Sequence, residues 1–256
     1  MMPSYRELRR FHVEAQFGTF IDEIVDAPGD AGVLIFSHRE AEPMWNTLFV
    51  DDPAAAQAVW PVIARCFAER GRRPVWYLAD GLNMLNRPSR PLTGSAWMVR
   101  PRGGATARTP GRRLVPQRVA SAADAARFNQ RYVEIFWHGQ PPDNVALPIS
   151  DAAPTAPGGA RHETLHWILA DAGEPVAILT TIRRGPLCGV YNVGTRPGFT
   201  GKGYASQAIL GALDELEARG CEQSFLLTED ESLPPFYERL GYRTVTTGWF
   251  YVDGEG

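Results

Sequence analysis

The chain has 256 residues, 44% hydrophobic and 21% charged, with 26 basic and 29 acidic groups and a formal charge of -3. That balance excludes a disordered or fibrous chain and leaves room for two small domains, each with a core of its own. Cys66, Cys188 and Cys221 have neither disulfide-framework nor zinc-ligand spacing, and no run approaches the roughly 18 apolar residues of a membrane helix, so a cytoplasmic protein with no membrane contact is expected.

In the first hundred residues, strand-like runs at Gly32–Phe36 and Trp45–Val50 precede a helical pattern from Pro53 to Arg70, closed by Gly71. Two more, Pro74–Leu78 and Ser95–Arg100, flank a short segment ending before Pro88. Residues 101–113 turn to Pro, Gly, Thr and Arg and read as a linker. The predicted organisation is therefore a domain over 1–100, a linker over 101–113 and a second domain over 114–256.

The second domain opens with a strand candidate at Leu114–Val119. Ser121, with Asp124 three residues on, then starts a helix running to about Trp137. Gly139–Gly159 is a long aperiodic loop. Strand-like runs follow at Leu165–Ala170, Pro175–Ile182 and Gly189–Thr195, the first two joined by the turn Asp171–Glu174 and so antiparallel. A Gly-rich turn leads to a helix over Gly203–Arg219 with Ala205, Ala208, Ile209, Ala212, Leu213 and Leu216 on one face. Beyond lie a strand at Ser224–Thr228, a short helix at Pro235–Leu240, and a strand pair at Tyr242–Thr246 and Trp249–Val252.

The halves also resemble each other. Arg70, Gly71, Trp76 and Leu78 match Arg219, Gly220, Phe225 and Leu227 at a constant offset, each set at a helix end followed by a strand. Residues 121–256 carry 17 acidic against 10 basic groups, which disfavours nucleic acid as a partner and favours cationic substrates.

Thr195 to Ser206 is the most informative stretch. Glycines at a strand-to-helix turn let a ligand approach the backbone, while free amides and the helix dipole attract anionic oxygens. The spacing fits neither a P-loop nor a dinucleotide-binding turn.

In this stretch the sequence resembles the GNAT acetyltransferases, whose motif is [QR]-x-x-G-x-[GA]. Thr200, Gly203 and Ala205 occupy the three marked positions, with Thr in place of Gln or Arg. The run Phe236-Tyr237-Glu238-Arg239-Leu240-Gly241-Tyr242 matches a second signature of the family. The resemblance implies an α+β fold with a mixed, mostly antiparallel sheet flanked by helices. With the internal similarity it implies two copies in tandem, the first degenerate because Asp51, Asp52 and Pro53 stand where a cradle would be.

It also implies acetyl-coenzyme A as acyl donor and a small-molecule or peptide amine as acceptor. Backbone groups of Val193, Gly194 and Thr195 would bind the pantetheine arm where their strand splays from Ser224–Thr228. Thr200, Gly201, Lys202, Gly203, Tyr204 and Ala205 would hold the pyrophosphate. Tyr237 would protonate the leaving thiolate.

Trp137 and His138, with the loop after them, are expected to bound the acceptor in a cleft between the halves. No base is identified. Phe225 stands where some members carry a carboxylate, Asp230 replaces a family asparagine, and Glu229 and Glu231 read as solvated turn residues.

His162-Glu163-Thr164-Leu165-His166 spells a zinc-peptidase motif, but it runs into Trp167-Ile168-Leu169-Ala170 and reads as a strand rather than the helix that chemistry needs. A non-catalytic module binding acetyl-coenzyme A is the main alternative function, and a zinc peptidase the third.

Overall fold

A computed structural model describes residues 2–40, 42–79, 89–104, 113–143, 145–149 and 162–253. The short segment before Pro88, most of the linker and the second half of the loop after Gly139 lie outside these. In chain order the elements are α1 (Tyr5–Gln16), β1 (Glu23–Asp26), β2 (Gly32–Phe36), β3 (Thr47–Val50), α2 (Pro53–Ala58), α3 (Trp60–Ala68), β4 (Val75–Ala79) and β5 (Ser89–Pro101). Then come β6 (Gln117–Arg118), α4 (Ala122–Phe136), β7 (Glu163–Asp171), β8 (Glu174–Arg184), β9 (Leu187–Thr195), α5 (Tyr204–Ala218), β10 (Gln223–Thr228), α6 (Pro234–Glu238) and β11 (Arg243–Asp253).

Two compact units emerge. One gathers Pro3–Trp97, Leu227–Pro234 and Thr244–Gly256; the other gathers Met98–Leu226 and Pro235–Arg243. These boundaries differ from the sequence division because the last strand pairs away from its sequence neighbours. Trp249 lies opposite Leu78 and Val252 opposite Val75, antiparallel on β4.

The strand pair expected at Tyr242–Thr246 and Trp249–Val252 is thus one strand. Gly248 is no turn residue: a Cβ there would stand 2.5 Å from the carbonyl oxygen of Leu78. Glycine is what lets the strands close at that point.

In the unit built on the N-terminal residues the strand order is β1-β2-β3-β4-β11-β5. The parallel pair β3–β4, with Leu48 opposite Trp76, is linked through α2 and α3. The single helix expected over Pro53–Arg70 is broken at Val59, where Pro61 of the next turn has no N–H to give the ladder. Trp60, Ile63 and Phe67 of α3 pack with Leu34, Phe36, Leu48 and Trp76 in the core.

The other face is covered by α1, which the sequence reading missed. Ser4 and Glu7 cap it reciprocally, and Leu8, Phe11 and Ala15 are buried beneath it.

In the second unit the order is β5-β10-β9-β8-β7-β6. β7, β8 and β9 form an antiparallel meander, while β9 and β10 are parallel and linked through α5. Ala208, Ile209, Ala212, Leu213 and Leu216 of α5 are fully buried, as the stripe in the sequence requires. Ser121 caps α4 through the Asp124 amide. Each unit is therefore α+β with a mostly antiparallel sheet, and among the described residues each contains a strand-helix-parallel strand crossover.

Candidate active site

The geometry begins with an irregularity in β9. Ile178 pairs with Gly194 and Thr180 with Tyr191, so two residues of β9 face one of β8. Asn192 takes a positive φ of 51° there, and its Nδ2 donates to Thr180 Oγ1 at 3.2 Å. Such a bulge re-aims the backbone that follows it, here Val193, Gly194 and Thr195.

The ladder between β9 and β10 meanwhile ends at Phe225 and Gly189, although β9 runs on to Thr195 and β10 to Thr228. Beyond Gly189 the two parallel strands have no register with each other. That is the expected splay, and it opens the edge of β9 after the bulge.

Thr195 leads into a turn whose Gly198, Gly201 and Gly203 all have positive φ, at 80°, 75° and 78°. Nothing lies within 4 Å of the position a Cβ would take on Gly201, so the backbone there faces open space. Gly203 is the N-cap of α5 and no side chain caps the helix, which leaves the first-turn amides of Tyr204, Ala205 and Ser206 available to an anion.

The side chains around the turn are committed elsewhere. Tyr204 donates its hydroxyl to Asp171 Oδ2 at 2.5 Å, Arg196 Nε pairs with Glu134 at 2.7 Å, and Lys202 Nζ sits 5.0 Å from the centre of the Phe199 ring. What the turn offers a ligand is mainly backbone, which fits a diphosphate.

Tyr237 lies on α6, 7% exposed, with its ring 4.9 Å from that of Phe236 and 5.8 Å from that of Tyr242. Its carbonyl accepts from the amides of Leu240 and Tyr242, fixing the turn that ends at Gly241.

The profile of the Acetyltransferase (GNAT) family matches residues 129–242. Residues 129–242 are a GNAT acetyltransferase domain. Among solved structures, the whole chain is similar to a GCN5-related N-acetyltransferase from Kribbella flavida, with a TM-score of 0.66 at 18% identity over 96% of this chain and 95% of that one.

A GCN5-related N-acetyltransferase from Sphaerobacter thermophilus gives 0.55 at 14% identity over 90% and 75% of the two chains. A tandem GNAT protein from the clavulanic acid biosynthesis pathway gives 0.55 at 11% over 88% and 80%. At these identities the likeness is one of fold. No curated protein matches the sequence.

Within the GNAT domain, the end of α4 lies against the bulged strand. A Cβ on Gly194 would fall 2.6 Å from Ile135 Cγ2 and 3.2 Å from Phe136 Cζ, and Phe136 is 41% exposed. Trp137 follows as the C-cap, half-buried, with its indole Nε1 buried and unpaired. His138 is exposed at a φ of 50° where the chain leaves the helix. Phe136 and Asn192 escaped the sequence reading because an aromatic at a helix end and an asparagine in a strand carry no distinctive spacing.

From Glu163 on the H-E-x-x-H segment is a strand, as its apolar continuation requires, and His162 stands just before it. An extended chain carries His162 and His166 roughly 13 Å apart, not onto one face of a helix turn as the zinc motif needs. Glu163 pairs with Arg183 at 3.2 Å and with Arg219, while His166 Nδ1 shares a hydrogen bond with Thr180 Oγ1 at 2.9 Å. Burial holds the His166 imidazole neutral, its pKa lowered to about 4. No cluster of metal-ligating side chains occurs among the described residues.

Glu229, in the other unit, corrects the expectation of a solvated turn residue. Burial, with a smaller contribution from the charge of Glu42, raises its carboxyl pKa to about 7. Thr93 Oγ1 donates to its backbone carbonyl at 2.9 Å. Glu231 is exposed, as expected.

Proposed function

We propose that the GNAT domain transfers an acetyl group from acetyl-coenzyme A directly to an amine carried by a small molecule or a peptide. The observation that carries this reading is the uncapped N-terminus of α5, reached through a glycine turn from a bulged strand that splays from its parallel neighbour.

The donor supplies an activated thioester; the chain supplies placement. Backbone of Val193, Gly194 and Thr195 takes the pantetheine arm, and an amide of this re-aimed segment polarises the thioester carbonyl. The run Thr200, Gly201, Lys202, Gly203, Tyr204 and Ala205 takes the pyrophosphate, with Lys202 as a nearby positive charge. Tyr237 gives its phenol proton to the departing thiolate, and the proton that the amine loses passes through water and restores the phenol. Trp137, whose indole Nε1 is buried without an acceptor, and His138 contact the acceptor.

We assign the donor to this domain alone and read the first 100 residues as a degenerate GNAT copy. At the equivalent helix, α2, the Asp52 carboxylate accepts from the amides of Ala54 and Ala55, and Pro53 has no N–H. The anion site is thus filled from within, by a group that repels phosphate. The wide spacing of the three cysteines supports a cytoplasmic setting; no helix among the described residues is long and apolar enough to cross a membrane.

Amine-dependent release of thiol from acetyl-coenzyme A tests the reading. Donor binding without release under any amine would favour the non-catalytic module instead.

A further inference from the structure

The unit built on the N-terminal residues has a pocket of its own. It encloses about 290 Å³ between β5 around Gly94–Ala96, β11 around Thr247–Trp249 and the segment Thr228–Pro234. Of the ten described residues that line it none is cationic and two are carboxylates, Asp230 and Glu231.

Glycine at position 94 makes the space. The position its Cβ would take is 2.5 Å from Glu231 Oε1 and 3.3 Å from Trp249 Cζ2, so the carboxylate and the indole converge over bare backbone. Trp249 is 40% exposed, while its neighbours in the strand, Gly248 and Phe250, are buried. A large aromatic left open beside a carboxylate is unlike a core residue, and a ligand would cover it.

The acidic wall is built before any ligand arrives. Asp230 Oδ1 accepts from the Ser232 amide at 2.8 Å and from its hydroxyl at 2.6 Å, which holds the Asp230 carboxyl below the usual range and therefore charged. The Leu233 amide closes the same turn on the Asp230 carbonyl at 3.0 Å, and Thr93 ties Glu229 to β5. Little ordering cost remains for binding.

From these contacts we infer that this pocket binds a small organic cation bearing a primary ammonium group, seated between Glu231 and the Trp249 indole. The carboxylates and the hydroxyls of Thr228 and Thr247 accept its N–H bonds, and the indole attracts the charge. A hard divalent ion would want six or more oxygen ligands and gain nothing from an indole. The site stands on this unit alone and does not depend on the donor-binding reading of the GNAT domain.

The test is calorimetric titration of the full chain, without acetyl-coenzyme A, using butane-1,4-diamine and its neutral analogue butane-1,4-diol. Saturable binding of the diamine at one site is expected, with none for the diol. The paired substitution Glu231→Gln and Trp249→Ala removes only exposed groups and should weaken the diamine about tenfold or more. Gly94→Ala, which fills the floor and displaces only flexible or exposed side chains, should do the same with an unchanged melting curve. Absence of diamine binding, equal binding of the diol, or unchanged affinity in both variants would overturn the inference.

Discussion

The hydroxyl of Tyr77 stands 2.2 Å from the position a Cβ on Gly248 would occupy. That hydroxyl also receives hydrogen bonds from Ser95 Oγ and Trp97 Nε1, both at 3.0 Å, so it is not free to withdraw. Gly248→Ala should therefore destabilise the chain by roughly 1–3 kcal/mol, the usual cost of overpacking. Tyr77→Phe in the same chain should recover only part, since the Leu78 carbonyl lies 2.5 Å from the same point. Urea unfolding of the two single variants and the double variant measures this directly.

Gly203→Glu should abolish binding of acetyl-coenzyme A. Its φ of 78° costs a residue with a side chain roughly 1–2 kcal/mol, and the added carboxylate faces the pyrophosphate. Calorimetry should show affinity lowered by more than about tenfold, with the fold retained because α5 keeps its buried stripe.

Tyr237→Phe should lower kcat by about tenfold or more and leave donor affinity nearly intact, because its proton is needed only as the thiolate leaves. The ring contacts with Phe236 and Tyr242 survive the change, so stability should move little. A pH-rate profile identical to that of the parent would make Tyr237 a packing residue.

Glu229 makes stability depend on pH. Its carboxyl pKa in the fold is about 7 against an ordinary 4.5, so the folded chain holds a proton that the unfolded chain gives up. Its contribution is full below about pH 4.5 and falls as pH rises towards 7, with a slope of up to about 1.4 kcal/mol per unit.

His12 and His166, both lowered to about 4 by burial, act in the opposite sense, losing stability as pH falls below 6.5. Comparison with Glu229→Gln separates the terms. The variant should lose the decline between pH 4.5 and 7 and be the more stable protein at pH 8, as read by urea melts across that range.

Local signals in the sequence were strong where a helix or strand was amphipathic and capped. The face of α5, the cap at Ser121 and the meander from Leu165 to Thr195 each announce themselves by period and punctuation. What stayed hidden depended on distant partners. The Thr247-Gly248 pair looks like a hairpin turn until Tyr77 is seen beside it, and the pairing of β11 with β4 spans most of the chain. Helix α1 carried its signal in the cap of Ser4 and Glu7, but its buried face includes Arg9, held against Asp51 at 2.5 Å, so apolar period alone did not mark it. The glycine turn before α5 was legible because its signal is local. The bulge at Asn192 was not, since it arises only from the register between β8 and β9.

The central claim is that the GNAT domain moves an acetyl group to an amine through the cradle before α5. The most direct measurement is thiol release from acetyl-coenzyme A across a panel of primary amines, with the acetylated product weighed by mass spectrometry, for the parent chain and for Gly203→Glu. The account predicts release matched by acetylated amine for at least one member of the panel, and none above background in the variant. Equal release with and without every amine, or undiminished turnover in Gly203→Glu, would contradict it.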